Sequence, residues 1–150
     1  MAFAGVPTQR LRRWYQAGIY GKSRVGRGAI RLYSFTDAVM TLMVREFMDL
    51  TRSRAATGAF GAFFEKLIPD YLANLTDQSV EAFWIFARWD RKEGRYRCTG
   101  VAGGGAISAD IDTAALVLRL DRIVGAAAAY FRHEGVVLPV DVLKHFGRTT

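Results

Sequence analysis

Three arginines stand close together near the start of the chain, at Arg10, Arg12 and Arg13, directly after Thr8 and Gln9. A guanidinium group can bind guanine through two hydrogen bonds, and a glutamine amide can bind adenine in the same way. If this segment is a helix that enters a groove of DNA, its N-terminal residues Thr8, Gln9 and Arg10 lie nearest the base edges. Arg12 and Arg13 are then expected to bind phosphate or to fix the register of the helix.

A second group of basic residues follows between Tyr20 and Ser34, in the stretch "YGKSRVGRGAIRLYS". Its glycines permit unusual backbone angles, and its final part alternates apolar and polar residues, so it predicts a two-stranded ribbon with a basic tip. The expected contacts with a nucleic-acid backbone or a minor groove are Lys22, Arg24 and Arg27 at the tip and Arg31 and Tyr33 on the return strand.

The distribution of charge favours a polyanionic partner. Residues 1–54 contain ten Lys or Arg and three Asp or Glu, whereas residues 55–150 contain eleven of each kind. The net charge of +7 therefore lies wholly in the first third of the chain. A cationic block inside a folded segment is typical of a protein that binds nucleic acid by attracting phosphates and releasing their counterions. An anionic membrane surface is the competing partner.

Composition argues against several other classes of protein. Because Cys98 is the single cysteine, the chain can form no internal disulfide and no cysteine-rich zinc site. No apolar run reaches the roughly 18 residues that a membrane-spanning helix needs, and "MAFAGVPTQR" is too short for a signal peptide. We therefore expect a cytoplasmic protein, associated with the nucleoid if it binds DNA, and no membrane partner.

Residues of the kinds that enzymes use are sparse. His133 and His145 have no neighbouring cysteine, so a metal or nucleophile site there would need partners from elsewhere in the chain. Asp110 and Asp112 precede a predicted helix and are interpreted as caps, and Cys98 is interpreted as a small buried hydrophobic residue. We predict no catalytic residues, no bound metal and no cofactor, and we do not expect an enzyme.

Helical periodicity dominates the first half of the chain. A first helix is expected from Pro7 through about Gly18, with Thr8 serving as a cap. Ser34 is predicted to cap a second helix, and a third is expected over residues 59–75, kinked or divided at Pro69. The residues expected in the core are Leu11, Trp14 and Ile19 in the first helix, Val39, Leu42, Met43, Phe47 and Leu50 in the second, and Phe60, Phe63, Phe64, Leu67 and Tyr71 in the third.

The second half mixes strands and helices. The stretches "EAFWIFARWD" and "RYRCTGV" predict an aromatic β-hairpin around the polar turn "RKEG". The stretch "AISADID" is a candidate third strand. A long helix is expected over residues 113–133, with Asp112 as its cap, and a short final helix between Pro139 and Gly147.

Two stretches resemble the winged helix-turn-helix domain of the MerR family, over about residues 4–50. The first, "AGVPTQRLRRWYQAGI", is similar to that family's turn and recognition helix, and "IRLYSFTDAVMTLMVREF" is similar to its junction between the wing and the next helix. The family has a full helix before the turn, where this chain has "MAFA", and "TGAFGAFFEKLI" replaces its usual phrase after residue 50. The matching positions are Leu11, Arg12, Trp14, Gly18 and Ile19 in the helix and Arg31, Tyr33 and Asp37 in the junction.

The resemblance and the periodicity together give an expected organisation. The fold is expected to be α+β and mainly helical, with an N-terminal winged helix-turn-helix followed by helices, a β-hairpin and a long C-terminal helix. Residues 1–53 would bind DNA, and residues 54–75 would form a connecting helix. Residues 76–150 would be an α/β region for dimerisation or for an effector function. The implied function is a sequence-specific transcription regulator that binds double-stranded DNA as a homodimer.

Two other functions stay open. A factor that bends DNA during recombination or excision has the same winged scaffold. An antitoxin-like DNA-binding module would use its second half to bind a small ligand or a protein, such as a toxin or RNA polymerase. For a homodimer, the contact surface is expected on the small-residue face of "IVGAAAAYF" and on the aromatic hairpin.

Overall fold

The computed structural model describes residues 2–19, 34–74, 82–103 and 115–138. Helices and antiparallel sheets both contribute to the fold, so the α+β class expected from the sequence is confirmed. The elements in chain order are β1 (Ala2–Phe3), β2 (Val6–Pro7), α1 (Thr8–Gln16), α2 (Phe35–Thr51), α3 (Arg54–Ala73), β3 (Phe83–Asp90), β4 (Arg95–Ala102), β5 (Ala115–Arg119) and α4 (Leu120–His133).

Helix α2 is the centre of the core. Residues 38–44 are all buried, because α3 and α4 both pack against this helix. A helix that is apolar on all sides needs such cover. Its first turn is fixed by the predicted cap, since Ser34 and Asp37 form a capping box. The helix ends at Arg52, which has a left-handed backbone with a φ of 53°.

Helix α3 brings aromatic rings to the core. Phe60 and Phe64 are buried, and their ring centroids lie 3.7 and 6.4 Å from that of Phe47 in α2. Ile68 is also fully buried, although the predicted core does not include it. Pro69 lies inside α3 with its side chain exposed, and the helix continues beyond it. Pro69 therefore does not divide the helix.

A three-stranded antiparallel sheet has the order β4-β3-β5, with β3 in the centre. The predicted hairpin is confirmed, because β3 and β4 pair around the turn "RKEG". Successive side chains of a strand point to opposite faces of the sheet. Ile85 and Ala87 of β3 and Leu118 of β5 are buried on the face toward the helices. Trp84 and Phe86 lie on the opposite face and are half-buried.

A tight hairpin of β1 and β2 precedes α1. The two strands pair across a turn in which Ala4 and Gly5 have φ values of 48° and 73°, the positive pair that a type I′ turn requires. The Phe3 ring packs edge-on against Tyr130 of α4, at a centroid distance of 5.8 Å. Arg45 of α2 donates a hydrogen bond to the carbonyl of Ala4 at 3.4 Å. The hairpin therefore joins the start of α1 to both α2 and α4.

The predicted long helix over residues 113–133 is wrong in its first part. Residues 115–119 form β5, which pairs with the open edge of β3 and places Leu118 in the core. Helix α4 begins only at Leu120, with Asp121 in its first turn, so Asp112 does not cap it. β5 and β3 are far apart in the chain. The hydrophobic periodicity of residues 113–133 contains no information about a partner strand, so it could not predict β5.

One other expectation is also wrong. Leu50 was expected in the core, but it lies in the last turn of α2 and is 51% exposed. Of the small-residue tract in α4, Val124, Ala127 and Ala128 are fully buried within the chain, where α4 packs on α2. Ala126 and Ala129 of the same tract are exposed, so its expected contact with a second copy of the chain stays a prediction.

Some expected elements fall outside the described residues. These are the basic ribbon in residues 20–33, the strand "AISADID" in residues 104–114 and the final helix in residues 139–150. Within the described part, none of the helices combines the length and the hydropathy needed to cross a membrane.

Replacing Tyr71 by Phe is expected to leave the free energy of unfolding unchanged or to raise it by about 1 kcal/mol. The Tyr71 hydroxyl is buried and has no hydrogen-bond partner among the described residues. Burial, followed by the charge of Asp121, raises the pKa of Tyr71 to about 12, so the hydroxyl stays neutral. The ring contact with Phe83, at 5.0 Å, is kept by Phe. Urea denaturation of Tyr71→Phe measures the effect.

The matched control is Tyr71→Leu, which removes both the hydroxyl and the ring. It is expected to lower the free energy of unfolding by about 1 kcal/mol, since the aromatic contact with Phe83 is lost. A loss of 1 kcal/mol or more in Tyr71→Phe itself would contradict the expectation, because it would mean that the hydroxyl makes a stabilising hydrogen bond.

Candidate nucleic-acid interface

Helix α1 has one buried and one exposed face. Leu11 and Trp14 are buried in the core, as is Ile19 just beyond the end of the helix, and this confirms their predicted packing roles. The exposed residues recur at spacings of three and four, which places them along a single face of a helix. This exposed face consists of Gln9, Arg12, Arg13 and Gln16.

The N-terminus of α1 has no side-chain cap. Pro7 occupies the cap position, and Thr8, which was expected to cap the helix, is instead its first residue. The first turn also contains no acidic residue. The partial positive charge at this end of the helix is therefore not offset by a carboxylate in its own first turn, and it favours an anion near Gln9.

The C-terminus of α1 is closed by backbone geometry. Gly18 has a φ of 65°, a conformation that glycine adopts without strain. Its N–H donates to the carbonyl of Tyr15 at 3.1 Å, and the N–H of Ile19 donates to the carbonyl of Trp14 at 3.0 Å. This pair of bonds is the Schellman motif, with the buried side chains of Ile19 and Trp14 beside it. The motif fixes where the basic helix stops.

Arg10 points away from the exposed face of α1. Its Nη2 atom lies 3.4 Å from Oδ1 of Asp49 on α2, and its guanidinium lies 5.1 Å from the centre of the Trp14 ring. The side chains of Arg10 and Asp49 are 42% and 60% exposed, so solvent weakens this ion pair. Arg10 thus has partners within the chain, whereas the exposed Arg12 and Arg13 have no ion pair among the described residues.

Among the described residues, the carboxylates of α2 already have partners, including Asp49, which pairs with Arg10. No Asp or Glu precedes Asp37 in the sequence, and the Asp37 side chain accepts hydrogen bonds from Ser34. Farther along α2, Glu46 pairs with Arg45 at 3.1 Å. The face around Arg12 and Arg13 therefore keeps its positive charge. Of the predicted contact residues, the structure brings together Gln9, Arg12 and Arg13 on one face and turns Arg10 aside. The predicted contacts Lys22, Arg24, Arg27, Arg31 and Tyr33 lie outside the described residues.

The sheet presents a second surface of aromatic and basic side chains, on the hairpin that the sequence predicts to be a dimer contact. Trp84, Phe86 and Arg88 occupy every second position of the central strand β3, so they lie on the same face of the sheet. Arg97 of β4 is directly opposite Arg88, and Arg119 of β5 is directly opposite Trp84. Two-residue alternation in "WIFAR" is the signal that could have revealed it, but the hairpin was interpreted as a dimer contact.

An ion pair connects this surface to α4. Arg119 donates from Nε to Oδ1 of Asp121 at 2.8 Å, and its guanidinium lies 4.6 Å from the centre of the Trp84 ring. The Asp121 carboxylate also accepts the backbone N–H of Phe83 at 3.2 Å. Burial by itself raises the pKa of Asp121, but the hydrogen bonds from Arg119 and Phe83 outweigh it and hold the pKa below its ordinary value.

Cys98 lies in a setting that disfavours its reactive form. Burial raises the pKa of the Cys98 thiol to about 12, so the nucleophilic thiolate is not formed near neutral pH. Cys98 lies on β4, as expected for a strand residue, but it is half-buried where a buried side chain was predicted. In the described parts of the chain, no three His, Cys, Asp or Glu side chains are close enough together to hold a metal ion.

Comparison with known proteins supplies no relative. No protein-family model, no curated protein and no solved structure matches this chain. The inference of function therefore depends on the arrangement of its own residues.

Proposed function

We propose that the protein is a sequence-specific transcription regulator that binds double-stranded DNA, with α1 as the recognition helix of a MerR-like winged helix-turn-helix. The observation that carries this proposal is the exposed face of α1, where Gln9, Arg12 and Arg13 stand together and the two arginines have no ion pair among the described residues. The opposite face of the same helix is held in the core by Leu11 and Trp14.

The dimensions of α1 suit a groove of DNA. Its nine residues span about 13 Å, and the major groove of B-form DNA is about 12 Å wide. Gln9 lies in the first turn, the end of a recognition helix that reaches base edges, and its amide can bind adenine. Arg12 and Arg13 lie one turn later, where they bind phosphate or fix the register of the helix.

Arg10 has a positioning role in this proposal. Its contacts with Asp49 and Trp14 link α1 to α2, so they keep the exposed face of α1 in a fixed orientation relative to the rest of the protein. The side chain still lies beside the exposed face, and it adds to the positive field that attracts DNA.

The basic segment over residues 20–33 lies outside the described residues, and in this proposal it would serve as the wing. Its cations would bind the DNA backbone or a minor groove. One helix and one wing cover a short stretch of DNA, so we propose a homodimer that binds two half-sites related by two-fold symmetry.

The test is selection of bound duplexes from a random pool, followed by titration of the selected duplex at two salt concentrations. The double variant Arg12→Ala, Arg13→Ala is expected to bind about tenfold more weakly. The slope of its log affinity against log salt concentration is expected to become shallower by about 2, because about two phosphate contacts are lost. Gln9→Ala is expected to reduce the preference for one base pair by about tenfold while keeping the affinity for random duplex.

The matched control is the double variant Arg91→Ala, Lys92→Ala, which removes two exposed cations from the hairpin turn. It is expected to keep the affinity for the selected duplex within about twofold, because a Debye length of about 8 Å screens distant surface charges. Recovery of no preferred sequence, or equal losses in the two double variants, would contradict the proposal. Two symmetrical half-sites in the selected duplexes would support the homodimer.

A further inference from the structure

The outer face of the three-stranded sheet, defined by Trp84, Phe86, Arg88, Arg97 and Arg119, lies opposite the buried face, and its edge at Arg119 pairs with Asp121 of α4. The buried residues of β3 and β5 lie on the other face, where α3 and α4 contact the sheet. We propose that this outer face binds single-stranded DNA, with Phe86 and Trp84 stacking against unpaired bases and the arginines binding the backbone.

The arrangement of the aromatic rings supports stacking. Trp84 and Phe86 are two positions apart on β3, so they lie side by side on one face at a strand repeat of about 7 Å. The Arg119 guanidinium already lies 4.6 Å from the centre of the Trp84 ring, so on that side a base would stack on the guanidinium plane. Thr99 of β4 and Val117 of β5 are directly opposite Phe86. Both flanking residues are exposed, and the Phe86 ring between them is half-buried, so part of the ring reaches solvent.

The charges on the hairpin favour an anionic partner. Residues 83–102 contain five Lys or Arg and two Asp or Glu. Arg88 and Arg97 are directly opposite each other, and like charges in that position destabilise a sheet. Arg97 pairs with both Asp90, at 2.8 Å, and Glu93, at 2.6 Å, whereas Arg88 is exposed and has no ion pair among the described residues. Arg88 is therefore the guanidinium on this face that a phosphate would pair with.

A cleft continues this surface beyond β5. The cleft has a volume of about 310 Å³, and Val117 and Arg119 of β5 line it together with Arg122 of α4 and with Arg45 and Glu46 of α2. Arg45 pairs with Glu46 and Arg119 with Asp121, whereas the Arg122 side chain is exposed. A strand that crosses the outer face toward β5 therefore reaches the guanidinium group of Arg122.

The outer face has few groups that could recognise a ribose. A protein distinguishes RNA from DNA by hydrogen bonds to the 2′-hydroxyl. Besides guanidinium groups, the described outer face offers Thr99 as its neutral hydrogen-bonding side chain, and the Trp84 indole N–H is buried. This composition favours DNA over RNA.

The test uses the full chain and a fluorescently labelled oligothymidylate of about 12 nucleotides, a length within the site size of a small binding surface. Phe86→Ala is expected to weaken binding about tenfold, because one stacking contact is lost. The matched control is Trp89→Ala, which removes an exposed aromatic ring from the same strand but from the opposite face. It is expected to bind as the unsubstituted chain does.

Tryptophan fluorescence provides a second measurement, which does not require an alanine variant that could be less stable. Oligothymidylate is expected to quench the emission of the unsubstituted chain and of Trp89→Phe. In Trp84→Phe the quenching is expected to fall by more than half, while the ring that remains keeps the affinity within about threefold. Circular dichroism of each variant verifies that it is folded.

Several outcomes would overturn the inference. These are equal affinities of folded Phe86→Ala and the unsubstituted chain, equal losses in Phe86→Ala and Trp89→Ala, and tighter binding of oligouridylate than of oligothymidylate. The double variant Arg12→Ala, Arg13→Ala separates this inference from the proposed duplex-binding function. It is expected to lose affinity for duplex while its affinity for oligothymidylate stays within about twofold, so either surface can fail without the other.

Discussion

Phe47→Ala is expected to lower the free energy of unfolding by about 3 to 5 kcal/mol, the range for deleting a buried aromatic ring. Phe47 is fully buried in α2. Its ring centroid lies 3.7 Å from that of Phe60 and 6.4 Å from that of Phe64, both in α3, and 5.8 Å from that of Tyr96 in β4. Its removal leaves a cavity where the central helix, α3 and the sheet meet, and denaturation in guanidinium chloride measures the loss.

The same helix supplies the control for Phe47→Ala. Leu50 lies in the last turn of α2 and is 51% exposed, so Leu50→Ala is expected to cost less than about 1 kcal/mol. Phe47→Leu keeps part of the apolar volume, so its loss in the free energy of unfolding is expected to lie between those of Phe47→Ala and Leu50→Ala. Equal stability of the two alanine variants would show that the Phe47 ring is not packed in the core.

Asp121→Ala is expected to lower the free energy of unfolding by about 2 to 3 kcal/mol, since it leaves partly buried groups without their partner. The Asp121 carboxylate accepts hydrogen bonds from Arg119 and from the backbone N–H of Phe83, and its side chain is 11% exposed. Asp121→Asn retains one acceptor oxygen, so it is expected to cost about half as much. Urea denaturation at neutral pH measures both variants.

The contribution of Asp121 also depends on pH in a defined direction. Its pKa in the folded chain lies below the ordinary value, so the folded state favours the charged carboxylate. The stabilisation is therefore fully present above the pKa of the unfolded chain, at about 4, and is lost as the pH falls toward the lower folded pKa. The difference in stability between the unsubstituted chain and Asp121→Asn is expected to shrink below about pH 4.

An acid of the same type provides the control for Asp121. Asp70 is exposed in α3, and Asp70→Ala is expected to change the free energy of unfolding by less than about 0.5 kcal/mol at any pH between 3 and 7. If Asp121→Ala is no less stable than Asp70→Ala, the ion pair with Arg119 does not contribute to the folded state.

Elements with local signals could be predicted from the sequence. The start of α2 depends on Ser34 and Asp37, three positions apart, and the capping box between them is present. The hairpin of β3 and β4 depends on aromatic strands around a polar four-residue turn, and its register follows from that turn. Trp14 recurs at helical spacing with Leu11, and both are buried. In each case the partners lie within a few residues of one another, so a short window contains the physical cause.

Elements that depend on distant partners could not be predicted in this way. The residues of β5 continue into α4 without a break, and only the open edge of β3 makes them a strand. The small residues at Ala127 and Ala128 predict close helix packing, but only the tertiary structure shows that they are buried within the chain, where α4 packs on α2. The orientation of Arg10 likewise depends on Asp49, which lies 39 positions later.

The sequence by itself determined the class of the fold, the basic character of the first third, and the division of α1 into apolar and cationic residues. These properties follow from residue type and from helical periodicity, which act over a few positions. The tertiary structure decided that Gln9, Arg12 and Arg13 stand together while Arg10 turns to α2. It also decided that Trp84, Phe86 and Arg88 form an open face, because strand pairing and helix packing across the whole chain determine which side of a sheet is covered.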